Sequence, residues 1–282
     1  MNEPKAIVNT LVQFKKHLEQ EEKSKLTVEK YLRDIRKFYE FLNGSEINKE
    51  QTIAYKKYLT QQYAVTSVNS MLVALNCFLR FLGLGTCCIK TLKVQRQIFA
   101  REDHELTKTE YQNLVKAAKD IKNHRLWLIL QTICGTGIRI SELQYITVEA
   151  IKDGRAIVNC KNKTRVIFIP VPLQKLLKEY SKKAGIKTGT VFISKNGKAL
   201  DRSNIWRDMK ALCKHADVCP KKVFPHNLRH LFARTFYSIE KDIVRLADLL
   251  GHSSINTTRI YTMETGFQHV ARLEQVQLLL KT

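Results

Sequence analysis

Apolar residues recur at helical spacing along the first third of the chain and predict four amphipathic helices. Thr27 and Asn48 are the predicted N-caps of the second and third helices, and Gly44-Ser45 separates these two helices. The apolar faces are Ile7, Leu11, Phe14 and Leu18; Tyr31, Ile35, Phe38 and Leu42; Ile53 and Leu59; and Leu72, Leu75, Leu79 and Leu82. This pattern predicts an all-helical N-terminal domain over residues 1–89.

The helical pattern of apolar residues ends after residue 89. Residues 90–104 mix basic and short apolar side chains without a clear period, which predicts an extended basic linker. Thr107 and Glu110 then have the spacing of a capping box, which marks the first helix of a second domain. We expect this second domain to span 105–265.

A short stretch of the second domain has the period of β-structure. Ile157-Val158 and Val166–Ile169 flank a polar, basic turn and predict an antiparallel hairpin, and Val191–Ile193 predicts a further strand. Helices resume near Ser203 and continue almost to the end. The expected fold is therefore mainly α, with an all-helical N-terminal domain and a mixed α+β domain that holds a small antiparallel sheet.

The charge of the chain points to a polyanionic partner. Lys plus Arg total 48 against 26 for Asp plus Glu, a formal net charge of +22 in 282 residues. Nucleic acid is the leading partner class, because basic side chains that neutralise phosphates release counterions. Charge alone is also compatible with a basic protein that has no such partner, or with an anionic membrane surface.

Cysteine usage and hydropathy indicate the cellular compartment in which we expect the protein. The seven cysteines are odd in number and include no C-x-x-C pair, which favours reduced, buried thiols in a cytoplasmic protein. The N-terminus begins no apolar run, and no segment approaches the length of a membrane span, so we expect neither a signal peptide nor a membrane partner. No metal-ligand cluster is convincing, and we expect no cofactor.

Four short stretches of the second domain could carry chemistry. They are Gly135–Leu143 with Arg139, the hairpin turn with Lys161, Lys163 and Arg165, His226–His230 with Arg229, and Leu249–Thr262 with His252 and Tyr261. Each has an ordinary structural explanation by itself: a surface ion pair, a solvated turn, packed histidines or a partly buried aromatic ring.

Together these residue types suit cleavage of a phosphodiester without a metal. Two arginines can clamp the charge that develops on the non-bridging oxygens, and a tyrosine can form a covalent link to phosphorus. The tyrosine needs a base and cationic neighbours because its unperturbed pKa is about 10. A lysine ammonium can protonate the leaving oxygen.

At these residues the chain resembles the tyrosine recombinase, or phage-type integrase, family. Gly135-Thr136-Gly137-Ile138-Arg139 is similar to the family's first-arginine motif, and His226-x-x-Arg229 is similar to its H-x-x-R box. Leu249-Leu250-Gly251-His252, followed nine residues later by Tyr261, is similar to its C-terminal box. The four-helix first domain matches the family's core-binding, DNA-binding domain in outline only.

The resemblance implies a role for each residue. Arg139 and Arg229 bind the scissile phosphate, and His252 donates a hydrogen bond to it. His226 accepts or relays the proton of Tyr261, and Tyr261 forms a 3′-phosphotyrosine. The resemblance also implies that His230 packs behind the site and that Glu142 orients its neighbours.

The hairpin departs from the family pattern. Relatives commonly carry Gly-Lys-Gly-x-Lys-x-Arg, where this chain has Asn159-Cys160-Lys161-Asn162-Lys163-Thr164-Arg165. Alignment from the right places Cys160 at the catalytic lysine, and a one-residue deletion places Lys161 there. Lys161 is the expected general acid, with Lys163 as the alternative.

The resemblance implies a compact Xer-like or transposon-integrase subtype that works on double-stranded DNA recombination sites. We expect a tetramer on two paired sites, of this chain or with a related recombinase, and a tail helix over 266–282 that docks on a neighbouring protomer or on its own domain. Integration or excision of a mobile element is the expected role, with a chromosome-dimer resolvase as the alternative. A type IB topoisomerase and a non-catalytic DNA-binding regulator are further alternatives.

Overall fold

The computed structural model describes residues 5–94, 104–160, 163–194, 197–198 and 200–261. The chain divides into two compact units, Met1–Arg96 and Gln97–Thr282. Across the described ranges, no helix has both the length and the apolar character needed to cross a membrane.

The first unit is a four-helix bundle. Its elements are α1 (Lys5–Gln20), α2 (Lys25–Leu42), α3 (Lys49–Gln62), α4 (Val65–Phe81) and a 3-10 turn (Gly85–Cys87). The predicted apolar faces meet in one core, where Phe14, Phe38 and Phe78 are fully buried. Phe14 and Phe78 pack edge to face with ring centroids 5.0 Å apart, an arrangement that aromatic pairs favour.

Three expectations for individual residues are wrong. The N-cap of α2 is Ser24, not Thr27, because the Ser24 side chain accepts a hydrogen bond from the backbone N–H of Thr27. Ile53 is exposed on α3 rather than part of its buried face. Cys219 is exposed rather than buried.

The second unit is mainly helical around one hairpin. Its elements are α5 (Lys108–Asp120), α6 (His124–Thr136), a 3-10 helix (Ile140–Tyr145), α7 (Val148–Asp153), β1 (Arg155–Cys160), β2 (Lys163–Phe168), α8 (Val171–Lys183), α9 (Arg202–Ala216), a 3-10 turn (Pro220–Lys222), α10 (Pro225–Glu240), α11 (Ile243–Leu250), α12 (Ile255–Thr258) and a 3-10 turn (Arg259–Tyr261). The capping box at Thr107 and Glu110 begins α5 as predicted.

The predicted small antiparallel sheet is confirmed. Strands β1 and β2 pair with Ala156 opposite Ile167 and Val158 opposite Arg165. Since side chains alternate across a strand, Ala156, Val158 and Ile167 share the face that packs into the core. The expected strand at Val191–Ile193 is absent from the described sheet, which has two strands. Val191 and Phe192 instead fill the core next to an isolated bridge between Thr147 and Thr190.

Three predicted features lie wholly or partly outside the described residues: Lys161, residues 95–103 of the predicted linker at 90–104, and the tail helix over 266–282. Lys163 lies at the start of β2.

Candidate active site

The first arginine is presented by a glycine-dependent turn. Gly137 caps the C-terminus of α6 with a left-handed φ of +65°, and a Cβ at this position would lie 2.4 Å from the Phe232 ring. Only glycine satisfies both conditions. The chain then enters the 3-10 helix with Arg139 at its N-cap, and 39% of the Arg139 side chain is exposed. The guanidinium is therefore accessible to a ligand.

A buried carboxylate holds this turn. Glu142 is 1% exposed and accepts hydrogen bonds from the backbone N–H and Nη1 of Arg139, at 2.8 and 3.0 Å. Nη2 of Arg165 donates to the same carboxylate at 2.5 Å. Burial raises the pKa of Glu142, but the hydrogen bonds and charges of Arg139 and Arg165 outweigh it, so its pKa lies below the usual value. Glu142 is thus an anion between two arginines.

Helix α10 supplies the second arginine. Arg229 is 1% exposed, and its guanidinium donates to the backbone oxygens of Gly137 and Leu250. It therefore ties the end of α6 to the end of α11. Burial, and then the charge of Arg139, lower the pKa of Arg229 to about 10, so it remains a cation at neutral pH.

His252 follows α11 and lies against this arginine. Its Nε2 is 3.1 Å from Nη2 of Arg229, and its Nδ1 is 2.8 Å from the hydroxyl of the fully buried Thr258. Burial, followed by the charges of Arg229, Arg139 and Arg165, lowers the pKa of His252 to about 4. The imidazole is therefore neutral at physiological pH.

Tyr261 is packed inside this group. It is 3% exposed and clusters with Ala233, Leu246 and Leu250. Its ring lies nearly parallel to that of His252, with centroids 5.9 Å apart. Tyr261 therefore lies in the same cluster as His252 and, through His252, as Arg229.

Two histidines of α10 complete the cluster. The His230 ring is perpendicular to the rings of both His226 and Tyr261, with centroids 4.5 and 4.7 Å apart. Burial and then the charge of His226 lower the pKa of His230 to about 3, and its Nε2 has no hydrogen-bond partner within the described residues. The pKa of the more accessible His226 is also lowered, by burial and by the charges of Arg229 and Arg139.

Five predicted site residues, Arg139, His226, Arg229, His252 and Tyr261, thus lie in one cluster, while Lys161 lies outside the described residues. Sequence reasoning assigned no role to Arg165 or Thr258, which join the cluster by contacts over 23 and 6 residues of chain. The sequence signal for Arg165 was its place at the end of the basic hairpin motif, which does not identify its partners. In the described ranges, no three His, Cys, Asp or Glu side chains group as metal ligands would.

Comparisons with known proteins agree with this site. Residues 104–266 match the phage integrase family model, and residues 11–83 match the phage integrase N-terminal SAM-like domain. Tyrosine recombinase XerA of Pyrococcus furiosus is 30% identical over 280 residues, which cover 95% of this chain and 94% of that protein. The chain belongs to the phage integrase family of tyrosine recombinases, and it is a site-specific DNA recombinase.

Solved structures share the fold. The crystal structure of XerA recombinase is 26% identical with a TM-score of 0.54, and the match covers 96% of this chain and 99% of that one. A lambda integrase tetramer bound to a Holliday junction is 18% identical with a TM-score of 0.72, covering 90% of this chain and 76% of that one.

Proposed function

We propose that this chain cleaves and rejoins specific DNA sites through a covalent link between Tyr261 and a DNA 3′ phosphate. The observation that carries the proposal is the cluster around the buried Arg229 guanidinium, which contacts His252 and joins α6 to α11, with the Tyr261 ring lying nearly parallel to that of His252. A tyrosine used only for packing does not need a buried cation in the same cluster, because burying a guanidinium carries a desolvation penalty that packing alone does not require.

The proposed step is an exchange of two phosphate ester bonds. The Tyr261 oxygen attacks phosphorus, and the bond from phosphorus to the 5′ oxygen breaks. Arg139 and Arg229 stabilise the charge on the non-bridging oxygens, and His252 donates a hydrogen bond to the same phosphate. The ester energy is retained in the phosphotyrosine, so attack by a 5′-hydroxyl reverses the step and joins the strands.

Two protons move in this step. His226 accepts or relays the proton of Tyr261: its lowered pKa favours the neutral ring, which can take up a proton, and also makes the ring a weaker base. The 5′ oxygen leaves as a hydroxyl and takes a proton from Lys161, with Lys163 as the alternative donor. This assignment rests on the family resemblance of the hairpin sequence.

The proposed substrate is duplex DNA bound by both parts of the chain. The net charge of +22 supports a polyanionic partner. We place a DNA-binding domain at 1–89, a basic linker at 90–104, the catalytic domain at 105–265 and a tail that docks on a neighbour at 266–282. Since lambda integrase forms a tetramer on a Holliday junction, we propose the same assembly here, and we propose that it acts in the cytoplasm.

Two biological roles fit this chemistry. Integration or excision of a mobile element follows from the integrase-type motifs. A Xer-type role in resolving chromosome dimers is favoured by the match to XerA over nearly the full length of both proteins. The recognised site separates them, because a mobile element is cut at its own ends and a resolvase is directed to one chromosomal locus.

One experiment tests both the DNA site and the covalent linkage to the protein. The protein is incubated with lightly nicked genomic DNA of its source organism. Where a nick lies close to the cleavage site, the short cleaved strand diffuses away, so it cannot rejoin and the covalent adduct persists. The mixture is denatured, and DNA attached to the protein is sequenced. We expect wild-type protein and the control Tyr237→Phe to capture one sequence, the captured site, through its 3′ end. Adducts with Tyr261→Phe, or none with wild type, would overturn the proposal.

A further inference from the structure

The chain places an arginine at an inward position of the hairpin, next to the site. Arg165 lies on the same face of β2 as the buried Ile167, and only 12% of its side chain is exposed. A basic side chain on a core-facing strand position is unusual, because burial of an unpaired charge is unfavourable. The contacts that offset the burial of its charge therefore indicate its role.

The two terminal nitrogens of Arg165 reach two different parts of the site. Nη2 donates to the Glu142 carboxylate at 2.5 Å, and Glu142 in turn holds the backbone and side chain of Arg139. Nη1 donates to the backbone oxygen of Leu249 at 2.7 Å, three residues before His252. One planar group thus connects the arginine turn, the hairpin and the loop that carries His252.

The stem of Arg165 is fixed as well as its end. A Cβ at Gly251 would lie 2.4 Å from Cδ and 3.1 Å from Nε of Arg165. The guanidinium is held at both terminal nitrogens, so the stem cannot move aside without breaking one of those hydrogen bonds. Gly251 also has a left-handed φ of +64°, so two separate constraints require glycine here.

From these contacts we infer that Arg165 is a positioning residue for the cleavage reaction, acting through Glu142 on Arg139 and through Leu249 on His252. The inference rests on the proposed function, because it assigns Arg165 to the same phosphate site. Lysine cannot replace it: an ammonium is a compact point charge without the fork that spans two separate acceptors.

The test measures adduct formation in a single turnover on the captured site, with protein in saturating excess, together with DNA affinity and the urea midpoint of unfolding. We expect Arg165→Lys to slow adduct formation about 10- to 100-fold, the loss that a misplacement of about 1 Å produces, with little change in affinity. Arg155→Lys is the control, because Arg155 is exposed on β1 of the same hairpin.

Double variants show whether Arg165 acts through its neighbours. Arg165→Ala with Glu142→Gln should lose less rate than the product of the two single losses, since both changes break the contact between Arg165 and Glu142. The Gly251→Ala change should slow adduct formation more in the wild-type background than in the Arg165→Ala background, because the alanine has no stem for the added methyl group to contact. A residue that only supports the fold would lower the urea midpoint and leave these couplings additive.

Each remaining outcome is decisive. Wild-type rates for Arg165→Lys would overturn the inference, and so would additive losses in both double variants. A loss of affinity without a loss of rate at saturation would make Arg165 a DNA contact instead. If Arg165→Ala does not fold, Arg165→Lys and Gly251→Ala, alone and combined, still show whether their losses of rate are additive. Failure of wild type to form an adduct would count against the proposed function itself, whatever Arg165 does.

Discussion

Nη2 of Arg229 lies 3.1 Å from Nε2 of His252, so the second arginine of the site holds the histidine directly. A guanidinium can only donate, so Nε2 must accept and the proton of the neutral ring must be on Nδ1. Nδ1 then donates to the Thr258 hydroxyl, 2.8 Å away. For His252 to donate from Nε2 to a phosphate, Arg229 must release it and the ring must change tautomer.

Thr258 makes that change possible, which gives the first prediction. A hydroxyl accepts from Nδ1–H in one tautomer and donates to Nδ1 in the other, so it satisfies both. Thr258→Val has nearly the same shape and can do neither. We expect it to slow adduct formation about tenfold, the effect of losing one hydrogen bond of about 1.4 kcal/mol.

The matched variant is Thr258→Ser, which keeps the hydroxyl and should retain most of the rate. Single-turnover cleavage of the captured site measures both variants. Equal rates for the valine and serine variants would show that the Thr258 hydroxyl has no part in the reaction.

The buried histidines predict how stability depends on pH. The pKa of His252 is lowered to about 4 and that of His230 to about 3, while both return to about 6.5 on unfolding. Between these values the unfolded chain binds more protons than the folded one, so stability falls as pH is lowered from 6.5 towards 4. The slope is at most about 1.4 kcal/mol per pH unit for each histidine.

Urea unfolding at a series of pH values measures this slope. Replacement of His252 by Asn should reduce the slope, whereas replacement of the exposed His215 should not. A slope that His252→Asn leaves unchanged would mean that His252 titrates alike in both states.

The chemistry of a general acid gives a prediction for the hairpin lysine. A substrate with sulfur in place of the 5′ bridging oxygen has a leaving group that needs no proton, so it restores cleavage to a variant that lacks the general acid. Lys161→Ala should cleave the ordinary site slowly and the sulfur-containing site at nearly the wild-type rate. Single-turnover cleavage of both substrates gives the result.

Lys163→Ala is the paired variant and should show little of this difference. If the sulfur-containing substrate rescues Lys163→Ala and not Lys161→Ala, then the general acid is Lys163 and the one-residue deletion in the alignment is misplaced.

Local signals predicted much of the fold, and contacts distant in sequence were the ones missed. Asn48 and Thr107 cap their helices as predicted, because an N-cap is decided within four residues of chain. Thr27 was mistaken for a cap because Ser24, three residues earlier, is equally suitable. The contact between Arg165 and Glu142 spans 23 residues, and no local pattern encodes such a pair.

The last prediction concerns two asparagines of α4 that hold the chain after the first unit's helices. Asn76 accepts from the N–H of Ile89 at 2.9 Å and donates to its carbonyl at 2.8 Å. Asn69 makes the same pair of hydrogen bonds with Leu92, at 2.7 and 2.9 Å. Seven residues of helix rise about 10.5 Å, and three residues of extended chain span about 10 Å. The two spacings match, so both side chains can hold the extended segment at once.

This match predicts that Asn69 and Asn76 fix where the chain leaves the helical unit. Replacing either by alanine removes two hydrogen bonds, each contributing about 1 kcal/mol, and should speed amide hydrogen exchange in the segment 89–92 by at least tenfold. Replacing either asparagine by aspartate keeps the acceptor and loses the donor, so the exchange rate should fall between those of the wild type and the alanine variant. Asn9→Ala, at an exposed position of α1, is the control. Hydrogen exchange followed by mass spectrometry on peptides covering 83–94 measures the effect. Protection that persists in the Asn69→Ala, Asn76→Ala double variant would mean that backbone packing, and not these amides, holds the segment.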